Sequence, residues 1–449
     1  MDINVLKKIN SPIFYVTNDV ARGIGLENIL PNYHIICLDD HPLVDILEKA
    51  GVSVFCLERQ LGLQNALYRS SGTILSHPKV LSFIKEKAKG ETPNILFFKS
   101  QRKIEIIAEK NGLNLIGNPV SLNRFFEDKI SFFEICRKEG ITIPSGEIIS
   151  LPELNYFELA KKYGKKLVIQ FGRGWAGNST IIVSDEKQIA GLKSKTGNIK
   201  VKVSKFISSK TILNNAVVYQ KKVLVSEPAV QIKANALLTS TQAGTGGRQW
   251  PCPLDETQKK KIKEITIRVG RIMQDRNFKG FFGLDFLAQD GTGEIFLAEN
   301  NSRLTYSAPF FTKLELSAGV FPLLGYHLLA FLPEIDLSSA GYNPAPVLGG
   351  EIVARNTESF SVKVGREVKT GLYNNNFKFD QETYFLDTQD KDKFFLQAAA
   401  KNRIINPEIE FARINTSGQV ADENGELSGS YLKIIQKVKD DLTFSKCQV

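Results

Sequence analysis

The residues best suited to chemistry lie in segment 280–303, where two apolar runs flank an Asp-Gly-Thr-Gly turn. Such a turn between apolar runs predicts a β-hairpin. Folding the chain about the turn places Asp285 nearly opposite Glu299, and strand alternation puts Glu299, Asn301 and Arg303 on one face. Two facing carboxylates repel each other unless a cation neutralises them. Because Mg²⁺ prefers oxygen ligands, the segment predicts a magnesium site.

The alternative is a solvent-facing hairpin that carries scattered polar residues. Leu284, Phe286, Phe296 and Ala298 are expected on the opposite face, and their apolar side chains favour a buried hairpin. In that case Arg303 offers a planar fork for a substrate carboxylate or a transferred phosphoryl group.

A glycine-rich stretch, 171–178, joins two predicted strands upstream of the hairpin and contains Arg173, Gly174 and Gly177. Glycines permit the close backbone approach that phosphate groups need. Arg173 is a candidate phosphate ligand, although an ordinary loop with a solvated arginine explains the same residues. Lys129, on a predicted helix, is a second candidate, although a lone helical lysine is usually at the surface.

These residues require a framework, and the amino-terminal part of the chain predicts an α/β one. Short apolar runs alternate with helical patterns, which predicts a parallel sheet covered on both faces. The predicted strands are 13–17, 34–38, 52–56, 94–98 and 113–116.

Beyond residue 118 the pattern changes to antiparallel β-structure with two prominent helices, 122–137 and 256–276. A Pro/Gly-rich run, 343–350, predicts a linker before a β-rich carboxy-terminal part. The predicted domains are therefore 1–118, 119–342 and 343–449.

Composition excludes several classes of function. The 449 residues are 42% hydrophobic and 24% charged, which is typical of a soluble globular protein. The net charge of +10 favours anionic partners or simply reflects a lysine-rich surface, and no nucleic-acid-binding motif accompanies it. Five cysteines and four histidines lack metal-ligand or disulfide spacing. No targeting or membrane-spanning segment is recognised, so we expect a cytoplasmic protein without a membrane partner.

Taken together, these motifs resemble the ATP-grasp superfamily in their order along the chain. The resemblance is carried by Glu127-Asp128-Lys129, the strand and glycine-rich flap at 166–180, Lys205-Phe206-Ile207, and Asp285 with the Glu-x-Asn-x-Arg motif at 299–303. It implies an α/β and α+β fold: a parallel-sheet pre-ATP-grasp domain, a two-lobed ATP-grasp domain with a flexible nucleotide lobe at about 145–205, and a small β-rich carboxy-terminal domain.

The resemblance also implies roles for individual residues. Lys129, Gln170 and the flap residues Arg173, Gly174 and Gly177 would contact the ATP phosphates. The backbone of Lys205, Phe206 and Ile207 would bind adenine. Asp285, Glu299 and Asn301 would bind Mg²⁺ (or Mn²⁺), and Arg303 with Asn301 would act on the acyl phosphate. Gln170 departs from the pattern, because many family members carry a lysine there; Ser204 likewise replaces a glutamate.

The implied function is an ATP-dependent ligase that activates a substrate carboxylate as an acyl phosphate for attack by an amine, releasing ADP and phosphate. Small-molecule carboxylates and amines are the expected partners. Two alternatives stay open: a phosphotransferase that forms no amide, and a non-catalytic nucleotide-binding module, which Gln170 makes conceivable. Loops 242–250 and 304–313, with Arg248 and Trp250, are candidates for substrate contact, although a structural role explains these two residues equally well. The carboxy-terminal domain is expected to complete the cleft or to mediate a homodimer.

Overall fold

A computed structural model describes residues 3–447 except 68, 173–179, 195–196, 242–243, 333–341, 385 and 387–389. Arg173, Gly174 and Gly177 of the predicted phosphate loop therefore lie outside the described residues. The strands within the described part form sheets of five, four, eleven and three strands. This mixed α/β architecture confirms the predicted fold class.

The amino-terminal part is the predicted parallel sheet. Its strands are β1 (Ile13–Thr17), β2 (Tyr33–Cys37), β3 (Ser53–Cys56), β4 (Asn94–Phe97) and β5 (Asn114–Ile116). Its helices are α1 (Pro42–Lys49), α2 (Leu57–Leu61), α3 (Ser71–Leu75), α4 (Pro78–Ala88) and α5 (Arg102–Asn111). The strand order is β3-β2-β1-β4-β5 and every pairing is parallel. The order reverses between β1 and β4, and ligands commonly bind at the carboxyl ends of strands at such a reversal.

The predicted helix 122–137 is two helices, α6 (Val120–Glu127) and α7 (Lys129–Lys138). Asp128 separates them in an extended conformation, and its side chain accepts hydrogen bonds from the backbone of Ile130 and Ser131. The prediction of one continuous helix was wrong because an aspartate that caps a helix is compatible with the same apolar periodicity.

A four-stranded antiparallel sheet follows. It contains β6 (Gly146–Ser150), α8 (Tyr156–Tyr163), β7 (Leu167–Phe171), β8 (Thr180–Val183), α9 (Glu186–Lys193) and β9 (Lys200–Lys205). The strand order is β6-β9-β7-β8, so β9 is an inner strand between β6 and β7.

The largest sheet begins with β10 (Ser209–Tyr219), β11 (Lys222–Val225), β12 (Ala229–Ile232) and β13 (Gly247–Trp250). After α10 (Glu256–Gln274) it continues with β14 (Gly280–Gln289) and β15 (Ile295–Asn301), which α11 (Ala308–Ser317) and α12 (Leu323–Phe331) follow. The helix α10 packs on this sheet, and its buried Ile262, Val269 and Met273 join the apolar face of β14 in one core.

The carboxy-terminal part extends the largest sheet and adds a three-stranded one. Its elements are β16 (Gly349–Arg355), β17 (Val362–Val364), β18 (Gly371–Asn374), β19 (Phe379–Gln381), β20 (Lys393–Ala398), β21 (Ile404–Ile405), β22 (Glu410–Thr416), α13 (Gly429–Leu442) and β23 (Phe444–Lys446). Because β16 pairs with β13, the sheet runs unbroken across the predicted linker. None of the helices in the described ranges combines the length and apolarity that a bilayer crossing needs.

Candidate active site

The predicted hairpin forms from β14 and β15, which pair antiparallel and place Asp285 directly opposite Glu299. Asn301 lies on the same side, with its Nδ2 3.4 Å from Asp285 Oδ1 and 3.5 Å from Oδ2. All three side chains are half-buried. The structure therefore brings the three predicted metal ligands together at one end of the hairpin.

A β-bulge determines which side chains of β15 are buried. Asp285 pairs with Glu299, but the next residue of β14, Phe286, pairs with Leu297. Ala298 is therefore the extra residue of the bulge, and it breaks the two-residue alternation. Leu297 packs into the core, and the predicted burial of side chains 296 and 298 is wrong.

The charges of this cluster fit a divalent cation. Burial, together with the charge of Glu299, raises the pKa of Asp285 to about 7. Lys129 Nζ lies 2.7 Å from Glu299 Oε1 and neutralises only part of the negative charge. Two carboxylates and one carboxamide match the oxygen ligands that Mg²⁺ prefers. No group of three His, Cys, Asp or Glu residues surrounds a common point in the described ranges, so a cation held by Asp285, Glu299 and Asn301 would take its remaining ligands from phosphate or water oxygens.

Lys129 owes its position to the break between α6 and α7. It is the first residue of α7, and its backbone N–H donates to the carbonyl of Gly172, at 3.0 Å. Gly172 lies so close to Asp128 that a Cβ there would be 2.7 Å from the carboxylate. The helix start is thereby tied to the end of β7, and the Lys129 side chain, 10% exposed, points to the carboxylate of Glu299.

Arg303 is held by a residue to which the sequence assigned no role. Its Nε lies 3.1 Å from Glu127 Oε1, and its Nη1 donates to Asn301 Oδ1 at 3.0 Å. Its guanidinium also lies 5.2 Å from the centre of the Phe98 ring. Glu127 is two residues from Lys129 in the sequence. This closeness to a predicted site residue was the only signal in the sequence for its contact with Arg303.

Gln170 lies near the end of β7 and is buried. Its Nε2 donates to Thr180 Oγ1 on β8, at 3.1 Å. The amide therefore has a partner within the sheet and brings no charge to the cleft. The flap that follows, including Arg173, Gly174 and Gly177, is outside the described residues, so its predicted phosphate contacts stay a prediction.

The predicted adenine segment follows the end of β9. The backbone N–H of Lys205 donates to the Ser145 carbonyl at 2.9 Å, and that of Phe206 donates to the Lys166 carbonyl at 3.3 Å. These two N–H groups are thus engaged within the protein. Ile207 is buried, and its N–H has no acceptor among the described residues, so the predicted contact with adenine stays a prediction for this residue.

Lys202 lies in the candidate site, although the sequence analysis assigned it no role. It lies on β9 opposite Gln170, and its side chain is buried although both ends of the strand are exposed. Lys202 and Lys129 line one narrow pocket together with Glu299. The only sequence signal was its position between Val201 and Val203, which are core residues.

A larger cavity, of about 580 Å³, is lined by Phe98, whose ring contacts Arg303. It lies at the carboxyl ends of β1, β2 and β4, where the order of the parallel sheet reverses, and the carboxy-terminal strands close its far side. Charged residues that line it include Asp19, Arg22, Asp39, Lys99, Arg403 and Glu410. Phe98 connects this cavity to Arg303, because the guanidinium of Arg22 lies 4.6 Å from the same ring.

Arg248 and Trp250 have the structural contacts that the sequence left open as an alternative, and their contact with a substrate stays a prediction. Arg248 is buried and pairs with Glu351 at 3.2 Å, while Trp250 is 2% exposed and stacks on Phe311. Tyr306, from the second predicted loop, does line the cavity.

No protein-family model and no curated protein sequence matches this chain. Solved structures do match it. The biotin carboxylase domain of Hydrogenobacter thermophilus 2-oxoglutarate carboxylase has a TM-score of 0.63 at 12% identity over 98% of this chain and 91% of its own. Phosphoribosylamine–glycine ligase from Thermotoga maritima has a TM-score of 0.58 at 14% identity over 97% and 98%. N5-carboxyaminoimidazole ribonucleotide synthetase from Thermotoga maritima has a TM-score of 0.52 at 12% identity over 97% and 99%.

This chain has the ATP-grasp fold. The similarity extends over nearly the whole length of this chain and of each solved structure, so it includes the amino- and carboxy-terminal parts of the fold. The four-stranded sheet, which runs from Gly146 in β6 to Lys205 in β9, occupies the predicted nucleotide lobe at 145–205. The domain boundaries at 118 and 342 stay predictions.

Proposed function

We propose that this protein is an ATP-dependent ligase that joins a carboxylic acid to an amine and releases ADP and phosphate. One observation carries the proposal: Asp285 and Glu299 meet across the hairpin, with Lys129 on one side and the Asn301–Arg303 pair on the other. This is a site with oxygen ligands for a metal and separate cations for phosphoryl oxygens. None of these five residues is a His or Cys, as expected where positioning and electrostatics do the catalytic work.

The nucleotide would lie between the four-stranded sheet and the hairpin. Lys129 would contact the α- and β-phosphates, and the backbone at Ile207 would contact adenine. Asp285, Glu299 and Asn301 would hold Mg²⁺, which when bound offsets negative charge on the phosphates. The similar structure from Hydrogenobacter thermophilus was solved in complex with MgADP, ADP and bicarbonate, which supports this cofactor assignment.

The reaction would proceed in two displacements. An oxygen of the substrate carboxylate attacks the γ-phosphorus of ATP, the bond from this phosphorus to the β,γ-bridging oxygen breaks, and ADP leaves. The amine nitrogen then attacks the acyl carbon, the bond to the phosphate oxygen breaks, and phosphate leaves as the nitrogen loses a proton. Arg303, oriented by Glu127 and Asn301, would stabilise the charge on the transferred group.

We infer that the 580 Å³ cavity receives one of the two small substrates. Arg22 indicates the charge of that substrate. Its guanidinium lies 4.6 Å from the Phe98 ring centre and 4.2 Å from that of Tyr306, and among the described residues it forms no ion pair. In contrast, Arg69, Lys99 and Arg403 each pair with a carboxylate. A guanidinium held by two rings, with its polar edge free, favours a substrate with an anionic group.

The deciding experiment is an ADP-release screen over small carboxylic acids and amines, with mass spectrometry of the products. We expect ADP release that requires both an acid and an amine, together with a product of their summed mass less one water. Phosphorylation of one substrate without an amine would indicate the phosphotransferase. ATP binding without turnover under every combination would indicate the non-catalytic module.

A further inference from the structure

The position of Lys202 relative to Gln170 calls for an explanation. The two residues are direct partners in the antiparallel pairing of β7 and β9. Side chains of such partners point to the same face of the sheet, with Cβ atoms about 5 Å apart. The resemblance implies a lysine at position 170, where this chain has the neutral Gln170. Lys202 therefore lies next to the position at which the expected positive charge is missing.

Lys202 is buried without a counter-charge. Its residue is 4% exposed, and within the described ranges its ammonium forms no ion pair and no hydrogen bond. The ammonium lies 5.2 Å from the centre of the Phe133 ring, a cation–π contact that brings no negative charge. Burial is the main cause that lowers the pKa of Lys202 to about 8, and the charge of Lys129 acts in the same direction.

The protein groups around Lys202 do not supply an anion of its own. Cys136 is the nearest candidate, but burial raises the pKa of its thiol to about 12, so the thiol is neutral. Glu299 carries a negative charge, but it is already paired with Lys129 at 2.7 Å. A buried ammonium without a partner is costly, and such groups are retained where a ligand supplies the missing charge.

We propose that Lys202 binds the phosphates of the nucleotide and supplies from β9 the positive charge that Gln170 lacks on β7. This assignment rests on the proposed function, since it requires a nucleotide between the sheet and the hairpin. Lys129 from the start of α7 and Lys202 from the sheet would then hold the phosphate chain from two sides. Gln170 keeps Thr180 as its partner and plays no charge role.

The test is nucleotide binding to the Lys202→Met variant of the full chain, measured by calorimetry without any acid or amine. Methionine keeps the length of the side chain and removes the ammonium. We expect ATP and ADP affinity to fall by about 10–100-fold, since a charge-assisted hydrogen bond is lost, while adenosine affinity is unchanged. Lys200→Met, at the exposed end of the same strand, is the matched control and should leave all three affinities unchanged.

Thermal unfolding separates this role from a structural one. Removal of an unpaired buried charge should leave the unfolding temperature of the nucleotide-free variant unchanged or higher. An unchanged ATP affinity, or an equal loss for ATP and adenosine with a lower unfolding temperature, would overturn the proposal.

A charge transplant tests the same claim from the other strand. In the Lys202→Met background, Gln170→Lys should recover ATP affinity. In the wild-type background it should not tighten ATP binding, because two lysines would then face each other across β7 and β9. No recovery in the double variant would contradict a shared role for the two positions.

These measurements are independent of turnover. If ATP binds in a Lys202-dependent manner but the ADP-release screen yields no product, the ligase proposal fails and the phosphate contact stands. If the wild-type protein binds neither ATP nor ADP, the nucleotide site itself is rejected.

Discussion

The acidic pair of the hairpin is unfavourable without a ligand, and this is its most informative property. Asp285 has a raised pKa because it is buried opposite Glu299, and the charges of Arg248, Lys129 and Arg303 offset this effect only in part. Such an arrangement weakens the free protein relative to a neutral hairpin. A cluster that destabilises the fold and lies at a cavity is better explained by ligand binding than by folding.

The first prediction concerns Glu299. In the Glu299→Gln variant we expect Mg²⁺-dependent ATP turnover to fall by at least about a hundredfold, since even residues that only support a metal ligand contribute about 10–100-fold. The measurement is steady-state ADP release at saturating Mg²⁺. Glu294→Gln is the control, because Glu294 is exposed beside the turn of the same hairpin. Equal rates for the two variants would remove Glu299 from the site.

The break between α6 and α7 shows how one secondary-structure boundary positions a functional cation. Asp128 caps α7, and its carboxylate packs closely against Gly172 at the end of β7. These two contacts fix the position of Lys129 next to β7. A continuous helix would give Lys129 a different direction. Asp128 would thus affect the reaction only by positioning Lys129.

We therefore expect Asp128→Ala to lower the free energy of unfolding by about 1 kcal/mol through loss of the cap. It should also weaken ATP binding by roughly tenfold, because Lys129 loses its fixed position. Chemical denaturation and calorimetry measure the two effects. Asp255→Ala removes the equivalent cap of α10, so it should show a similar loss of stability with unchanged ATP affinity. Unchanged ATP affinity in Asp128→Ala as well would separate the cap from the site.

The packing of α11 against the start of α12 contains a buried acid whose charge state depends on pH. Glu315 accepts hydrogen bonds from the Leu323 backbone at 3.1 Å and from the Tyr342 hydroxyl at 2.8 Å. Burial nevertheless raises its pKa to about 8. The folded protein therefore holds a proton that the unfolded chain releases near pH 4.5, so this stabilisation is complete below that pH and is lost as pH rises through about 8.

This sign gives a pH prediction. Relative to the Glu315→Gln variant, the wild-type protein should lose on the order of 1 kcal/mol of unfolding free energy per pH unit between about pH 5 and 8. Denaturant titrations of both proteins at several pH values provide the difference directly. A difference that is constant with pH would show that Glu315 is charged throughout this range.

The cavity beside the active site is a property of the assembled chain. Its wall combines the parallel sheet with the carboxy-terminal strands, and buried ion pairs connect the two. Arg403 contacts Glu58 at 2.7 Å, and Arg413 contacts Asp19 at 3.3 Å. The near-full-length similarity to solved structures includes both parts, so the fold itself brings them together.

A substitution of Arg22 tests whether a substrate binds in this cavity. For Arg22→Met we expect the KM for the anionic substrate to rise by about 10–100-fold, as for loss of a charge-assisted contact, with the KM for ATP unchanged. The measurement is ADP release with the acid and amine identified in the substrate screen. Arg102→Met, on the exposed face of α5, is the control. A rise in the KM for ATP instead would place Arg22 at the nucleotide.

Local signals in the chain were sufficient for most of the framework. All five strands of the parallel sheet lie within two residues of the predicted ranges, because buried strands are continuous apolar runs. The pairing of Asp285 with Glu299 also followed locally, since a short turn restricts which residues of a hairpin face each other.

Contacts between residues distant in the chain decided the rest. The bulge at Ala298 lies in a continuous apolar run, and the helix break at Asp128 is one residue long, so periodicity in the sequence detects neither. The burial of Lys202 depends on its pairing with Gln170 and on α7, and the cavity depends on strands about 400 residues apart. Periodicity reports which side of an element is buried, whereas the partners of a side chain are set by the packing of the whole molecule.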